Sequence, residues 1–171
     1  MCFPKRSCID LEYKYISQDT LGHLYLHDCI INRVEQVGSS LIFYFEWINV
    51  LKTHPFNKTG KSKITRKSLL VFDNASVIFC KYYDMVRAYA KGEKTDKKIY
   101  RVEEEADIVD VDLFEFCRNI EILDDKEENI DGEKTWYCLC TKDFQLKIKY
   151  SCSYVHFNGL EENAWFERDD S

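Results

Sequence analysis

Two histidines near the start of the chain have the side chains of a metal site. His23 and His27 are four residues apart. On a helix both rings could bind one metal ion, whereas on an extended chain they lie about 13 Å apart, too far to share one. The residues around them favour an extended chain. We therefore expect both histidines to be structural and no metal to bind between them.

Three short motifs match part of a known catalytic site but lack the rest of it. Thr59-Gly60-Lys61-Ser62 resembles the end of a phosphate-binding loop, which requires a glycine where this chain has Pro55; we expect a mobile basic loop instead. His27-Asp28 matches the signature of helical phosphohydrolases, which need further His and Asp residues on helices. Asp110-Val111-Asp112 has a carboxylate spacing that some metal-dependent transferases use, but this segment is rich in acids throughout. We expect no cofactor at any of them.

The eight cysteines show no spacing typical of a structural zinc site. No two of them are separated by two residues, and Cys138-Leu139-Cys140 lies in a strand whose odd and even faces differ in polarity. We expect Cys138 and Cys140 to be buried thiols that pack as small apolar side chains, with no metal and no disulfide. A Cys–His or Ser–His nucleophile stays open, because such partners are often distant in sequence.

Charge is distributed unevenly along the chain. Residues 52–67 contain six basic side chains and no acidic one, whereas residues 103–133 contain fourteen acidic and two basic ones. The net charge of −6 gives no general attraction to nucleic acid. Because six basic residues cannot neutralise fourteen acids, we expect the acidic segment to stay uncovered and to bind a basic protein partner. The predicted binding residues in it are Asp124, Asp125, Glu127 and Glu128.

Residues 124–134 are rich in oxygen ligands, and their composition predicts a polar loop. With Gly132 in the place of the EF-hand glycine, Glu127 would stand at the first ligand position and Cys138 at the twelfth. That motif requires Asp and Glu at these two positions. We therefore expect a solvated acidic loop and no calcium site.

The clearest strand pattern lies between Phe144 and Tyr154, where every even position is apolar or Cys and most odd positions are polar. Residues 135–140 predict the hairpin partner of this strand. A three-residue loop, 141–143, places Cys138 opposite Leu146 and Trp136 opposite Ile148, so that apolar residues share one face. A two-residue loop would pair the same side chains with lysines. The longer loop is therefore predicted, and the seven apolar side chains of this hairpin should form one buried cluster: Trp136, Cys138, Cys140, Phe144, Leu146, Ile148 and Tyr150.

Further strands are predicted from apolar runs bounded by turn residues. They cover residues 29–37, 41–51, 68–72, 75–82 and 113–123, with turns at 38–40 and 73–74. A short helix is predicted over residues 83–91, ending at Gly92. The pattern favours a mainly β protein, a single antiparallel β-sandwich or partly open barrel with at most one or two short helices, in one domain over residues 1–171.

The composition is that of a folded chain outside the membrane. The hydrophobic fraction of 45% and the aromatic fraction of 15% argue against disorder, and no apolar run approaches the length of a bilayer span. The first residues have no apolar stretch after their basic pair, which predicts no signal peptide. We therefore expect a cytoplasmic protein whose cysteines are reduced.

Residues 26–45 resemble the opening hairpin of several uncharacterised bacterial β-sandwich families. The resemblance lies in Leu26-His27-Asp28-Cys29-Ile30, then Val34, and then the turn and apolar strand over residues 38–45, Gly-Ser-Ser-Leu-Ile-Phe-Tyr-Phe. Some such domains are immunity proteins of toxin systems. The resemblance implies a shared feature at His27 and Asp28, which complete the set of candidate binding residues; the alternative is that these two hydrogen-bond each other at the start of a strand.

Three classes of function are compatible with the sequence. The first is a non-catalytic protein-interaction domain, of the bacterial immunity type, that acts through its acidic surface. The second is a sandwich that binds a small ligand or carbohydrate, in which an exposed Trp47, Trp136 or Trp165 would line a concave face. The third is an enzyme with dispersed residues, marked by a pocket that holds one histidine and two carboxylates with perturbed pKa values. The first class is favoured, because no catalytic constellation accompanies the segregated charge.

Overall fold

The computed structural model describes residues 13–83, 108–141 and 143–167, most of which lie in β-strands. The strands are β1 (Tyr15–Gln18), β2 (Leu24–Tyr25), β3 (Ile30–Val37), β4 (Ser40–Phe45), β5 (Asn49–Val50), β6 (Lys63–Ile64), β7 (Ser68–Asp73), β8 (Ser76–Tyr83), β9 (Ile108–Asp110), β10 (Ile120–Ile130), β11 (Glu133–Cys140), β12 (Phe144–Tyr150) and β13 (Cys152–Phe157). A 3-10 turn spans Leu21–His23, and a short helix, α1, spans Leu113–Phe116. Within these described residues no helix is both long and apolar enough to cross a bilayer.

One large antiparallel sheet folds over on itself to form the core. Its strand order is β1-β13-β7-β4-β3-β10-β11-β12-β8-β9, and a small second sheet has the order β2-β5-β6. β10 joins the two halves of the large sheet, because its first two residues pair with β3 and the remainder pairs with β11. The halves face each other: the ring of Trp136 lies 5.2 Å from that of Phe72 and 5.4 Å from that of Phe43. The predicted fold class is confirmed: the protein is a mainly β, antiparallel sandwich whose sheet does not close into a barrel.

The hairpin of β11 and β12 has the predicted register. Cys138 pairs with Leu146 and Trp136 with Ile148. Asp143, in the three-residue loop, has a φ of 53°, a left-handed conformation that Asp tolerates better than most residues. All seven residues of the predicted cluster are buried. This part of the core could be predicted from the sequence because apolar and polar residues alternate in both strands. With a short loop between them, only one register keeps the apolar side chains on one face.

The strand predicted over residues 144–154 is wrong in its second half. β12 ends at Tyr150, Ser151 donates its N–H to Asp73 O, and the chain then crosses to the other half of the sheet as β13. After this crossing the odd positions Ser153, Val155 and Phe157 are fully buried, His156 is buried as well, and Tyr154 is only partly covered. Tyr154 packs instead on a small apolar cluster formed by Ile42, Leu69 and Val71. The apolar alternation continued through the bend because the outer face of this half of the sheet is also partly apolar.

The predictions for residues 113–134 are only partly right, because the strand predicted over residues 113–123 is present only from Ile120 onward, as the start of β10. Residues 113–116 form α1 instead of a strand, because Asp112 caps this helix by accepting from the N–H groups of Phe114 and Glu115. Residues 124–134, predicted as a polar loop, instead form most of the β10–β11 hairpin, with a two-residue turn at Asp131-Gly132. Both turn residues have positive φ, 53° and 84°, as the favoured hairpin turns require. Charged side chains are compatible with β10 because much of this strand lies at the surface.

The remaining predicted strands are present with altered ends. The turn after β3 is a two-residue hairpin in which Val37 pairs with Ser40. The strand predicted over residues 41–51 ends at Phe45 and resumes only as the short β5. The turn at residues 73–74 connects β7 and β8, which belong to opposite halves of the large sheet. The predicted helix over residues 83–91 lies outside the described residues except for Tyr83, which ends β8.

Candidate functional site

A cleft of about 450 Å³ opens where β10 separates from the chain that leads into β3. The last backbone bonds between them join Ile122 to Cys29 and Asp28. Beyond Ile122 the two segments diverge, and the 3-10 turn and β2 form the opposite wall. The cleft is lined by Leu21, Gly22, Leu24, Tyr25 and His27 on one side and by Leu123, Asp124, Asp125, Lys126 and Glu127 on the other.

A β-bulge in β10 decides which acids face inward. Ile122 pairs with Cys140 and is fully buried, and the register then shifts so that Asp125 pairs with Cys138. Without the bulge, alternation from Ile122 would direct the even residues inward. With it, Asp125 and Glu127 lie on the face of Trp136 and Cys138, which is the inner face of the sandwich.

Asp125 is fixed by the indole of Trp136. The Trp136 Nε1–H donates to Asp125 Oδ2 over 2.9 Å. Burial raises the pKa of this carboxyl above its usual range; the indole hydrogen bond opposes the rise, and the charges of Asp124 and Glu127 add to it. Asp125 is therefore an acid held in an environment that disfavours its negative charge.

Glu127 is fixed in a similar way by Tyr150. The phenol of Tyr150 donates to Glu127 Oε1 over 2.5 Å, and burial followed by this hydrogen bond raises the pKa of the phenol. The other oxygen, Oε2, faces the opposite wall, since a methyl group placed on Gly22 would lie 4.0 Å from it. Each of the two inward acids thus has one oxygen bound to an aromatic side chain and a second that is available to another donor.

His27 and Tyr25 line the opposite wall, and two further aromatic side chains lie beside Tyr25. His27 Nδ1 donates to Leu123 O over 2.5 Å, and its Nε2 lies 3.1 Å from Asp28 Oδ1, immediately before β3. The ring of Tyr25 is 6.0 Å from that of His27 and 6.3 Å from that of Trp165. Trp165 is 59% exposed. We call Tyr25, His27, Trp165 and Phe166 the aromatic shelf; Phe166 completes it at 4.9 Å from Tyr25.

The outward acids of β10 have a different environment. Glu128 accepts from Lys126 over 2.7 Å and from Lys147 over 3.3 Å, and the hydrogen bond from Lys126, followed by that from Lys147, lowers its pKa. Asp124 is exposed on the same outward side as Glu128. The six candidate residues therefore do not form one patch. Asp124, Asp125, Glu127 and His27 line the cleft, Asp28 contacts His27, and Glu128 is paired with lysines.

A second polar cluster contains a Ser–His pair, but the protonated nitrogen of the histidine faces the serine. Ser17 Oγ lies 3.0 Å from His54 Nε2, and both residues are buried. The N–H of Phe56 donates to His54 Nδ1, so that nitrogen carries the lone pair and Nε2 carries the proton. His54 therefore donates to Ser17 and cannot remove its proton. Burial lowers the pKa of His54 to about 4, with the charge of His23 as a smaller cause, which keeps the ring neutral.

Five of the six described cysteines are buried, and Cys152 is partly buried. Cys138 Sγ and Cys140 Sγ lie 3.4 Å apart in the core, and burial raises the pKa of Cys138 well above its usual value. Over residues 13–83, 108–141 and 143–167 no group of three His, Cys, Asp or Glu side chains is placed to hold a metal ion. Of the two further tryptophans considered for ligand binding, Trp136 is buried and Trp47 is partly buried.

The basic segment is a packed loop. Asn57 is buried and its amide donates to the carbonyls of Val50, Leu51 and Lys61. Glu167 accepts from the Ser62 N–H over 2.6 Å, and this contact lowers the pKa of Glu167. The loop therefore has internal and C-terminal partners, which sequence reasoning missed because they depend on contacts distant in the chain.

Comparisons of this chain with protein-family models, with curated proteins and with solved structures found no match.

Proposed function

We propose that this protein is a non-catalytic interaction domain that binds a basic protein partner through the cleft beside β10. The observation that carries the proposal is the placement of Asp125 and Glu127 on the cleft side of β10, where Asp125 is partly buried and the exposed Glu127 has one oxygen held by Tyr150. The outward acid Glu128 already has lysine partners, so it offers less to another cation.

The chemistry of the cleft favours a cationic side chain. Asp125 and Glu127 each have one oxygen held by an aromatic donor and a second oxygen for a partner. A guanidinium placed between them would relieve the mutual repulsion that helps to raise the pKa of Asp125. Tyr25 lies on the opposite wall, where its ring face could add a cation–π contact. We therefore infer that arginine is the preferred side chain.

The test compares two double variants that remove the same charge from opposite faces of β10. Asp125→Asn with Glu127→Gln should weaken binding of a synthetic alternating Arg-Thr peptide about tenfold or more, since bonds to charged groups are worth about 1.5–3 kcal/mol each. Glu121→Gln with Glu128→Gln, two acids of β10 that do not line the cleft, should weaken it by less than about threefold, through long-range attraction alone.

The measurement is isothermal titration calorimetry at physiological ionic strength, with thermal unfolding to confirm that both variants fold. Equal losses in the two variants would show that only net charge matters and would remove the cleft from the proposal. Absence of binding by the unmodified protein would refute it.

An immunity-type role in a bacterial cytoplasm is the specific form of this proposal. It is supported by the resemblance of residues 26–45 to such domains, and the buried thiols are compatible with a reducing compartment. If the adjacent gene encodes a toxin, the two purified proteins should form a stoichiometric complex that the Asp125→Asn, Glu127→Gln variant weakens. Unimpaired toxin activity in the presence of excess protein would contradict this form.

A second candidate function is the binding of a small ligand or carbohydrate on the aromatic shelf. Trp165 favours it, because this ring is 59% exposed and lies beside Tyr25 and Phe166. Titration of oligosaccharides should then quench tryptophan fluorescence, and Trp165→Ala should abolish the change. An enzyme remains the third candidate, since His27 and two carboxylates line the cleft, although Leu123 O and Asp28 already occupy both ring nitrogens of His27.

A further inference from the structure

One edge of β10 is open along the cleft. Ile122 to Ile130 pair with β11 on one side, whereas pairing with β3 on the other side stops at Ile120 and Glu121. In the part of the chain that the structure describes, no strand lies against this second side from Asp124 to Ile130. At about 3.4 Å per residue, the open edge is about 24 Å long.

The open edge begins where local contacts end the pairing. Ile122 exchanges backbone bonds with Cys29 and Asp28, and at the next residue the His27 side chain takes the carbonyl of Leu123. Asp28 adopts a φ of 64°, which turns the incoming chain away from β10. The cleft occupies the space that a continuation of β3 would fill.

An exposed strand edge presents unpaired N–H and C=O groups that another extended chain can bond. The side chains beside this edge are mainly acidic, with Asp125 and Glu127 inward and Asp124 outward. An incoming strand with a basic residue at every second position would therefore bond the backbone of β10 and place its cations against the inward acids.

We propose that an extended basic segment of a partner protein adds to the open edge of β10 as an antiparallel strand, taking the path that β3 leaves. This inference rests on the proposed function and gives its binding mode. Charge complementarity selects a basic segment over a second copy of this chain, whose own β10 edge carries the same negative charge.

The test uses three peptides of equal charge: an alternating Arg-Thr peptide, the same peptide with N-methyl groups on the arginines, and the same with N-methyl groups on the threonines. In a strand, the N–H groups of alternate residues point to opposite sides, so only one methylated peptide loses its bonds to β10. That peptide should bind about thirtyfold more weakly or worse, and the other should stay within about fivefold of the parent.

The outcomes separate the two proposals. Equal affinities of all three peptides, or equal losses in both methylated peptides, would overturn strand addition and leave cation binding in the cleft standing. No binding of the parent peptide would overturn both. A concentration-dependent dimer in sedimentation that the parent peptide does not disperse would show a second copy on this edge and would also overturn the inference.

A variant of the protein provides an independent check. Gly22→Leu should fill the cleft, because its added side chain would point toward Glu127 from a backbone without positive φ. Gly159→Leu is the matched control, since this glycine also has ordinary φ and does not line the cleft. We expect Gly22→Leu to weaken binding of the parent peptide about tenfold or more, and Gly159→Leu to leave its affinity within about twofold of that of the unmodified protein. If thermal unfolding shows that both variants are folded, equal affinities of the two variants for the parent peptide would contradict the proposed path of the added strand along β10.

Discussion

Replacing His54 by glutamine should remove most of the dependence of stability on pH between pH 7 and pH 5. His54 is 2% exposed, and its ring bonds Ser17 and the Phe56 N–H in the neutral form. Burial lowers its pKa to about 4, against 6.5 for a free imidazole. Glutamine keeps a donor for Ser17 but does not titrate.

The magnitude follows from proton linkage. Because the folded pKa lies below the unfolded one, the unfolded chain binds more protons between pH 6.5 and pH 4, so stability is complete above pH 6.5 and is lost as the pH falls toward 4. With these two pKa values, the free energy of unfolding should fall by about 2 kcal/mol from pH 7 to pH 5 and by about 3 kcal/mol at pH 4. Carboxylates with ordinary pKa values contribute little above pH 5, and Asp125, whose pKa burial raises, would oppose the loss of stability as the pH falls.

Urea unfolding at pH 7, 6 and 5 measures the effect. For a chain of this length a change of 2 kcal/mol should move the midpoint by about 1 M urea. His54→Gln should show a flat profile even if it is less stable at every pH, and His23→Gln should keep most of the dependence, because burial and not the charge of His23 is the main cause. A profile for His54→Gln as steep as that of the unmodified protein would refute the reasoning.

Three further predictions concern the core and the cleft. Leu146→Ala should lower the free energy of unfolding by about 2–5 kcal/mol in urea, because Leu146 is fully buried; a loss below about 1 kcal/mol would contradict its place in the core. Asp125→Asn should raise the free energy of unfolding at pH 7 by about 0.5–2 kcal/mol while weakening peptide binding, since the amide still accepts from Trp136 without a disfavoured charge. A loss of stability in this variant would show that the carboxylate is structural. Elemental analysis of the purified chain should find no stoichiometric zinc, because burial keeps Cys138 protonated; one zinc per chain would overturn that interpretation.

The sequence predicted best where structure is set by near neighbours. The register of β11 and β12 follows from the alternation of Trp136 and Cys138 against Ile148 and Leu146 across a three-residue loop. The same reasoning failed at Ser151, where the apolar pattern continues but the chain changes its partner strands. Periodicity reports which side chains share a face, and it cannot report which strands will lie beside that face.

The acidic segment also shows which properties follow from the sequence and which depend on the tertiary structure. Its charge and its position beside a hairpin are properties of the sequence, and from them a binding surface at Asp124, Asp125, Glu127 and Glu128 was predicted. Only the tertiary structure decided that a bulge after Ile122 turns Asp125 and Glu127 inward, against Trp136 and Tyr150, and leaves Glu128 with lysines. The physical reason is that one extra residue in a strand exchanges the two faces on which the following side chains lie. Whether the strand can accommodate that residue depends on its backbone bonds to β3 and β11. Parts of these partner strands are distant in sequence from the residues that they orient.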